Sequence, residues 1–456
     1  MSTFFKVPRL QEGGYIKTTV PGSKSITNRA LLLAALSQGR CRLEGVLFSQ
    51  DTRAMLECLA VLGFLVESDE ENKTVLITGT GGKIPNKKAH LHVRSAGTAA
   101  RFLTVLLAFA GGKYTLDADM QMKKRPMEEL LSVLRKMGVK ITCSEREGHF
   151  PFQIQSDGIS AREVTINTDT SSQFASALLM AGRILPGGLR VCLTGQRVHG
   201  SYIAMTLRIM EQFGVWVEPA GEEDNFDNAV VYQVLPGSYG RVEEYRIEPD
   251  VSAACYFYAM APLLKAEVLV HGVRQDTLQG DIKFLSLLEK MGCIIKETAE
   301  GIWLSGKMLD KYPGVTVDMK DFSDQTMTLA AIAPFADSIT EIKNVGHIRV
   351  QESDRMKAII TELAKLGIRC RMTEDGDGMV IYPGEIHGGK VETYEDHRMA
   401  MAFTLIGLKT GVITINNPQC CRKTFENYFA IITDLGNQLG KEEDVTIVWN
   451  KKKEHF

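Results

Sequence analysis

The chain has 456 residues, 44% of them hydrophobic and 24% charged, an ordinary globular composition with room for about two to three domains. A formal charge of −2 at pH 7 excludes a protein that coats nucleic acid or an anionic membrane, because those partners need a large basic excess. No apolar run reaches the ~18 residues of a membrane span and the first residues lack the apolar core of a signal peptide, so a cytoplasmic protein with no membrane partner is expected.

Taken in chain order, residues 21–37 (PGSKSITNRALLLAALS) open on small and polar groups and continue almost wholly apolar. That pattern predicts a helix with a capped start and a body buried on all sides. Residues 51–67 then read as an amphipathic helix stopped at Gly63, since glycine takes the left-handed conformation without a Cβ clash. The same pair of patterns recurs in 95–112 with 126–141 (Gly138), 171–182 with 206–219 (Gly214) and 251–264 with 281–295 (Gly292). It recurs again in 323–336 with 353–370 (Gly367) and in 395–407 with 425–439 (Gly436). Strand-like runs such as 164–168, 188–195, 267–273, 339–345 and 411–417 separate the helices. The stop glycines lie 69–78 residues apart, longer than the ~20–50 residues of a solenoid repeat that would serve as a scaffold. The expectation is an α/β chain of six units, three in each of two domains.

Nine cysteines without a C-x-x-C pair and nine histidines without H-E-x-x-H spacing predict neither a disulfide framework nor a metal site. The chemistry gathers instead at the six buried-helix starts. These carry Lys24, Ser25 and Arg29; Gly97, Thr98 and Arg101; Ser171, Ser172 and Gln173; Ser252; Asp324; and Asp396, His397 and Arg398. A helix N-terminus presents unpaired N–H groups and partial positive charge, and hydroxyls, glycine and guanidinium groups suit phosphate and carboxylate oxygens. Singly, each has a plainer reading. PGSKS lacks the G-x-x-x-x-G-K-[ST] phosphate loop and reads as a turn, SSQ reads as a helix cap, and AGTAAR as close helix packing. Repeated in register, they predict one polyanion pocket if the helix starts converge.

The segments PGSKSITNRALLLAALS, SAGTAARFLTVLLA, KKRPMEELLSVLRKMG, SSQFASALLMAG, QGDIKFLSLLEKMG, ESDRMKAIITELAKLG, EDHRMAMAF and RKTFENYF resemble, in order, the signatures of the 5-enolpyruvylshikimate-3-phosphate synthase family. The resemblance covers about residues 15 to 435. It implies a two-domain inside-out α/β barrel of six repeats of about 75 residues, with the active site in the interdomain cleft. One domain would span 21–246, and the other 1–20 with 247–456. The implied reaction moves the carboxyvinyl group of phosphoenolpyruvate to the 5-hydroxyl of shikimate 3-phosphate and releases phosphate, on the way to chorismate and the aromatic amino acids. No cofactor is implied; the partners would be these two small molecules, and a monomer is expected.

By that resemblance Lys24, Ser25, Arg29, Ser171, Ser172, Gln173, Tyr202 and Asp324, with His347 and Gln351, would hold shikimate 3-phosphate. Lys24, Gly97, Arg125, Gln173, Arg355, Arg398 and Lys423 would hold phosphoenolpyruvate, in a pocket that in the family also accepts glyphosate. Proton transfer would fall to Lys24, Asp324, Glu352, His397 and Lys423, with acid and base left open between them. The chain departs from the family pattern at Gln351, where a lysine is usual, at His199, aligned with a substrate-phosphate serine, and at Ser95 and Phe102, where Asn and Pro are common. The competing expectations are a sister enolpyruvyl transferase acting on a UDP-sugar and a non-catalytic phosphate-binding homologue.

Overall fold

The structure is a computed structural model that describes residues 4–169, 171–220 and 230–440. Each expected unit contains its two helices. The buried series is Lys24–Leu36, Gly97–Ala110, Ser172–Gly182, Val251–Tyr258, Thr326–Ile332 and His397–Thr410. The amphipathic series is Gln50–Val61, Glu128–Lys136, Ser201–Gln212, Lys283–Lys290, Arg355–Lys365 and Tyr428–Leu439.

Two of the buried helices are shorter than their apolar runs. The 251–264 run breaks at Ala259 and resumes as Met260–Leu264, with Pro262 in the first turn of the second piece, where its missing N–H costs no helical bond. The 323–336 run begins as the 3-10 turn Ser323–Gln325, so Asp324 stands ahead of the helix proper.

Gly63, Gly138, Gly214, Gly292 and Gly367 all follow their helices with φ between 75° and 98°, the left-handed stop expected of them. Gly436 does not. It lies inside Tyr428–Leu439, which runs on to Gly440, and a Cβ there would come within 2.8 Å of Pro8 Cγ. This sixth glycine therefore serves close packing against the amino-terminal segment rather than chain reversal.

Among the described residues six small sheets accompany the helices, and each contains one parallel strand pair extended by antiparallel pairing. Strand Gln38–Glu44, for instance, pairs parallel with Glu244–Arg246 and antiparallel with Thr74–Thr80. Strand Glu267–His271 pairs parallel with Tyr15–Thr18, and Ile413–Asn416 pairs antiparallel with Phe4–Lys6. The first residues of the chain thus complete sheets whose other strands lie beyond residue 266. Burial follows the same division. One apolar cluster runs from Ile26 to Ile247, and a second joins Phe5–Ile16 to 251–435. Among the described residues, no helix is long and apolar enough to cross a membrane.

Candidate active site

The helix starts converge. Lys24, Ser25, Gly97, Thr98, Ser171, Ser172, Gln173, Asp324, Arg355 and Arg398 line one cleft, together with Arg29, Arg125, Tyr202, His347, Gln351 and Glu352. The walls come from both apolar clusters, so the cleft runs between them. Ser252, the fourth expected start, lies elsewhere. With His397 it lines a smaller inner chamber that shares Lys24, Ser25, Ser201, Tyr202 and Arg398 with the cleft. His397 and Lys423 reach the cleft through Glu352, whose carboxylate lies 2.9 Å from His397 Nδ1 and 3.3 Å from Lys423 Nζ.

Three carboxylates organise the floor. Asp324 accepts from Tyr202 Oη at 2.6 Å, Arg398 Nη2 at 2.7 Å and Arg355 Nη1 at 3.0 Å. Asp396 caps the last buried helix by accepting from the Arg398 N–H at 3.0 Å, and it holds Arg355 Nε at 2.8 Å. Burial opposes the Asp324 charge, but Arg398 and Arg355 outweigh it and hold the carboxyl below its ordinary range. Burial also opposes the Glu352 charge, but His397, Lys423 and Lys24 outweigh it and hold the carboxyl well below the usual range. Burial pulls His397 below the ordinary imidazole value, against the attraction of Glu352. Glu352, Asp396 and His397 offer donor atoms within 4.8 Å of one another, a spacing that could suit a metal ion. Here the carboxylates are already engaged by Lys423 and Arg355.

The opposite wall is cationic, and among the described residues neither of its arginines, Arg101 and Arg125, is in an ion pair with a carboxylate. Arg101 Nη1 donates to Gly97 O at 3.1 Å and to Gln173 Oε1 at 3.0 Å, both neutral acceptors. The Nε atoms of Arg101 and Arg125 are sealed from solvent and have no hydrogen-bond partner among the described residues. Burial, then the charge of Arg125, pulls Arg101 well below its ordinary value. Burial also lowers Arg125, with Glu352 and Asp51 offsetting only part of the effect. A Cβ on Gly97 would run into Arg125 Nη1 and come within 2.7 Å of Arg101 Nη1, so the bare glycine is what lets both guanidinium groups close over this helix start. One buried and one half-buried guanidinium without a carboxylate ion-pair partner are what an anion site requires.

Other expected residues are spent on the protein. Arg29 makes four hydrogen bonds, to Thr206, Ser176 and the carbonyls of Ser25 and Tyr202. It borders the cleft chiefly as the support of Tyr202. Gln351 Oε1 accepts from Arg355 Nη1, so a lysine in its place would set an ammonium against a guanidinium. His347 Nε2 contacts Ser323 Oγ at 2.8 Å.

His199, aligned with a phosphate-binding serine, is exposed and outside the lining, where Ser201 stands instead. Asp51, which pairs with Lys24 Nζ at 3.3 Å, also escaped the sequence reading, as did Arg197 and Lys320 in the lining. Arg197 and Lys320 sit outside the repeated helix starts and carried no signal. Asp51 carried only a weak one, as an acidic residue in a first helical turn.

A family model described as EPSP synthase (3-phosphoshikimate 1-carboxyvinyltransferase) matches residues 13–432. A 3-phosphoshikimate 1-carboxyvinyltransferase of Trichormus variabilis is 40% identical over 423 residues, covering 93% of this chain and 97% of that protein. The chloroplastic enzyme of the same name from Solanum lycopersicum is 38% identical, over 91% of this chain and 81% of its own. A solved structure of EPSP synthase from Acinetobacter baumannii superposes with a TM-score of 0.76 at 25% identity, covering 96% of this chain and 98% of that one. With α/β units that repeat along the chain, an arginine-rich cleft and a match that runs nearly end to end, the chain belongs to the EPSP synthase family.

Proposed function

We propose that this chain transfers the carboxyvinyl group of phosphoenolpyruvate to the 5-hydroxyl of shikimate 3-phosphate and releases phosphate. The observation that carries the reading is the Arg101 and Arg125 pair beside Gly97, two guanidinium groups without a carboxylate, facing Glu352 across the cleft. A small ligand bearing both carboxylate and phosphate suits such a wall, since guanidinium binds either with two prongs. The acceptor's phosphate fits the side with Ser171, Ser172 and Ser201. There Arg197 and Lys320 supply the charge that Gln351 lacks, and burial pulls Arg197 down to about 10. In this reading residues 21–246 form one domain and 1–20 with 247–456 the other, which the two apolar clusters support; residues 441–456 lie outside the described part.

In the reaction, ligand anions replace Asp324 on Arg398 and Arg355 and free it to accept the proton of the acceptor hydroxyl as that oxygen adds to C2. The methylene carbon takes a proton from the Glu352, Lys423 and His397 group, giving a tetrahedral ketal phosphate. Return of a methyl proton to the same group restores the double bond and expels phosphate, which carries away the hydroxyl proton that Asp324 had taken and so returns every group to its starting state. The cationic walls stabilise the anions throughout.

Calorimetric titration tests the acceptor. Shikimate 3-phosphate should bind and a UDP-sugar should not; the reverse would move the chain to the sister transferase reading, and binding without turnover would favour the non-catalytic one. Gly97→Ala tests the other subsite. The added methyl displaces Arg125, and overpacking of about 1–3 kcal/mol corresponds to roughly 5- to 150-fold weaker phosphoenolpyruvate, with glyphosate, the longer ligand, losing more. Unchanged KM and inhibition constants would remove Gly97 from the pocket wall.

A further inference from the structure

Asp281 is a buried carboxylate that the chemistry above does not use. It is 6% exposed, sits in the turn Gly280–Ile282 and lines the inner chamber. Its Oδ2 accepts from Ser252 Oγ and, at 3.2 Å, from Gln325 Nε2, while its backbone carbonyl lies 3.6 Å from Cys255 Sγ. Ser252 belongs to the start of helix Val251–Tyr258, and Gln325 directly follows Asp324. Gln325 Nε2 also reaches the Ser252 carbonyl at 3.4 Å, and its Oε1 accepts from Thr328 at 3.0 Å. One carboxylate therefore ties three chain segments together directly behind Asp324.

The ionisable groups that face it are Asp324, Arg398, Tyr202 and Cys255. Arg398 is the cation among them: it is bonded to Asp324 at 2.7 Å and acted on through space by Asp281. Ligand anions can displace Asp324 from Arg398, but Asp281 stays engaged by Ser252 and Gln325. Burial and then the Asp324 charge push Asp281 up to about 6. Its folded value lies above its unfolded one, so its ionised form costs stability as pH rises through that range. A purely structural role would be served as well by the neutral amide.

We infer that Asp281 is a positioning residue for the transfer: it fixes the turn that carries Asp324 and gives Arg398 a standing counter-charge while Asp324 is released to accept a proton. This rests on the proposed reading of the cleft. In a phosphate-release assay, Asp281→Asn should lower kcat about 10- to 100-fold, the scale of a misplaced catalytic group, with smaller changes in either KM. The acid limb of the wild-type kcat profile near pH 6 should flatten in the variant, which no longer has that charge to lose. Gln325→Leu keeps the charge but cuts the tie, so kcat should fall while the limb remains. Native-like kcat and an unaltered acid limb in Asp281→Asn would overturn the inference. Should that variant fail to fold, native-like kcat in Gln325→Leu would do the same. A wild-type protein that releases no phosphate would overturn the reading of the cleft and this inference with it, whereas an active wild type with an indifferent Asp281 sinks the inference alone.

Discussion

Arg125→Ala is expected to remove nearly all turnover while leaving the fold at least as stable as before. Arg125 has no hydrogen-bond partner for its buried Nε, and burial lowers it below its ordinary value. A half-buried charge with a sealed and unpartnered Nε costs the folded protein, and the cost is offset when an anion binds. Two charge-assisted hydrogen bonds to phosphoenolpyruvate, at about 1.5–3 kcal/mol each, correspond to roughly a 10²- to 10⁴-fold loss of kcat/KM. Thermal unfolding of the variant should begin no lower than in the wild type. Arg355 makes the contrast, because it holds Asp324 and Asp396 at once and its loss would strand the buried Asp396 and the half-buried Asp324. Near-normal kcat/KM in Arg125→Ala would dissolve the phosphoenolpyruvate subsite.

Glu352→Gln is expected to act on kcat instead. The amide occupies the same volume and can still accept from Lys423, but it cannot give and take a proton at the methylene carbon. Loss of a positioned acid–base group costs about 10²–10⁴-fold, with KM for either substrate little changed. The check is specific to the chemistry: exchange of the phosphoenolpyruvate methylene hydrogens with deuterated water, followed by NMR in the presence of shikimate 3-phosphate, should slow along with turnover. Exchange at the wild-type rate would move the proton transfer away from Glu352.

Much of the frame was legible because each unit writes the same local physics. A wholly apolar helix with a polar start and an amphipathic helix stopped by a positive-φ glycine are both set within about 15 residues, and five of the six stop glycines behave accordingly. Gly436 misled because its reason is distant: Pro8 packs where a Cβ would stand. Strand order was illegible for the same cause, since the partner of Glu267–His271 is Tyr15–Thr18, some 250 residues away in the chain. At the site, residues on the repeated helix starts could be found by register, whereas Asp51, Arg197, Lys320 and Asp281 are brought in by loops and other helix turns. The departures at Gln351 and His199 were visible as residues but not as consequences. Gln351 proves to be an acceptor for Arg355, and His199 lies outside the lining.

The proposed reaction requires one cleft to bind two anions and join them. Incubating the purified protein with phosphoenolpyruvate and shikimate 3-phosphate, and following phosphorus and proton NMR together, tests it most directly. Inorganic phosphate and the enolpyruvyl ether of shikimate 3-phosphate should appear in equal amounts, with neither formed when one substrate is left out. Phosphate released without the ether, or neither product from a folded protein that binds both ligands, would contradict it.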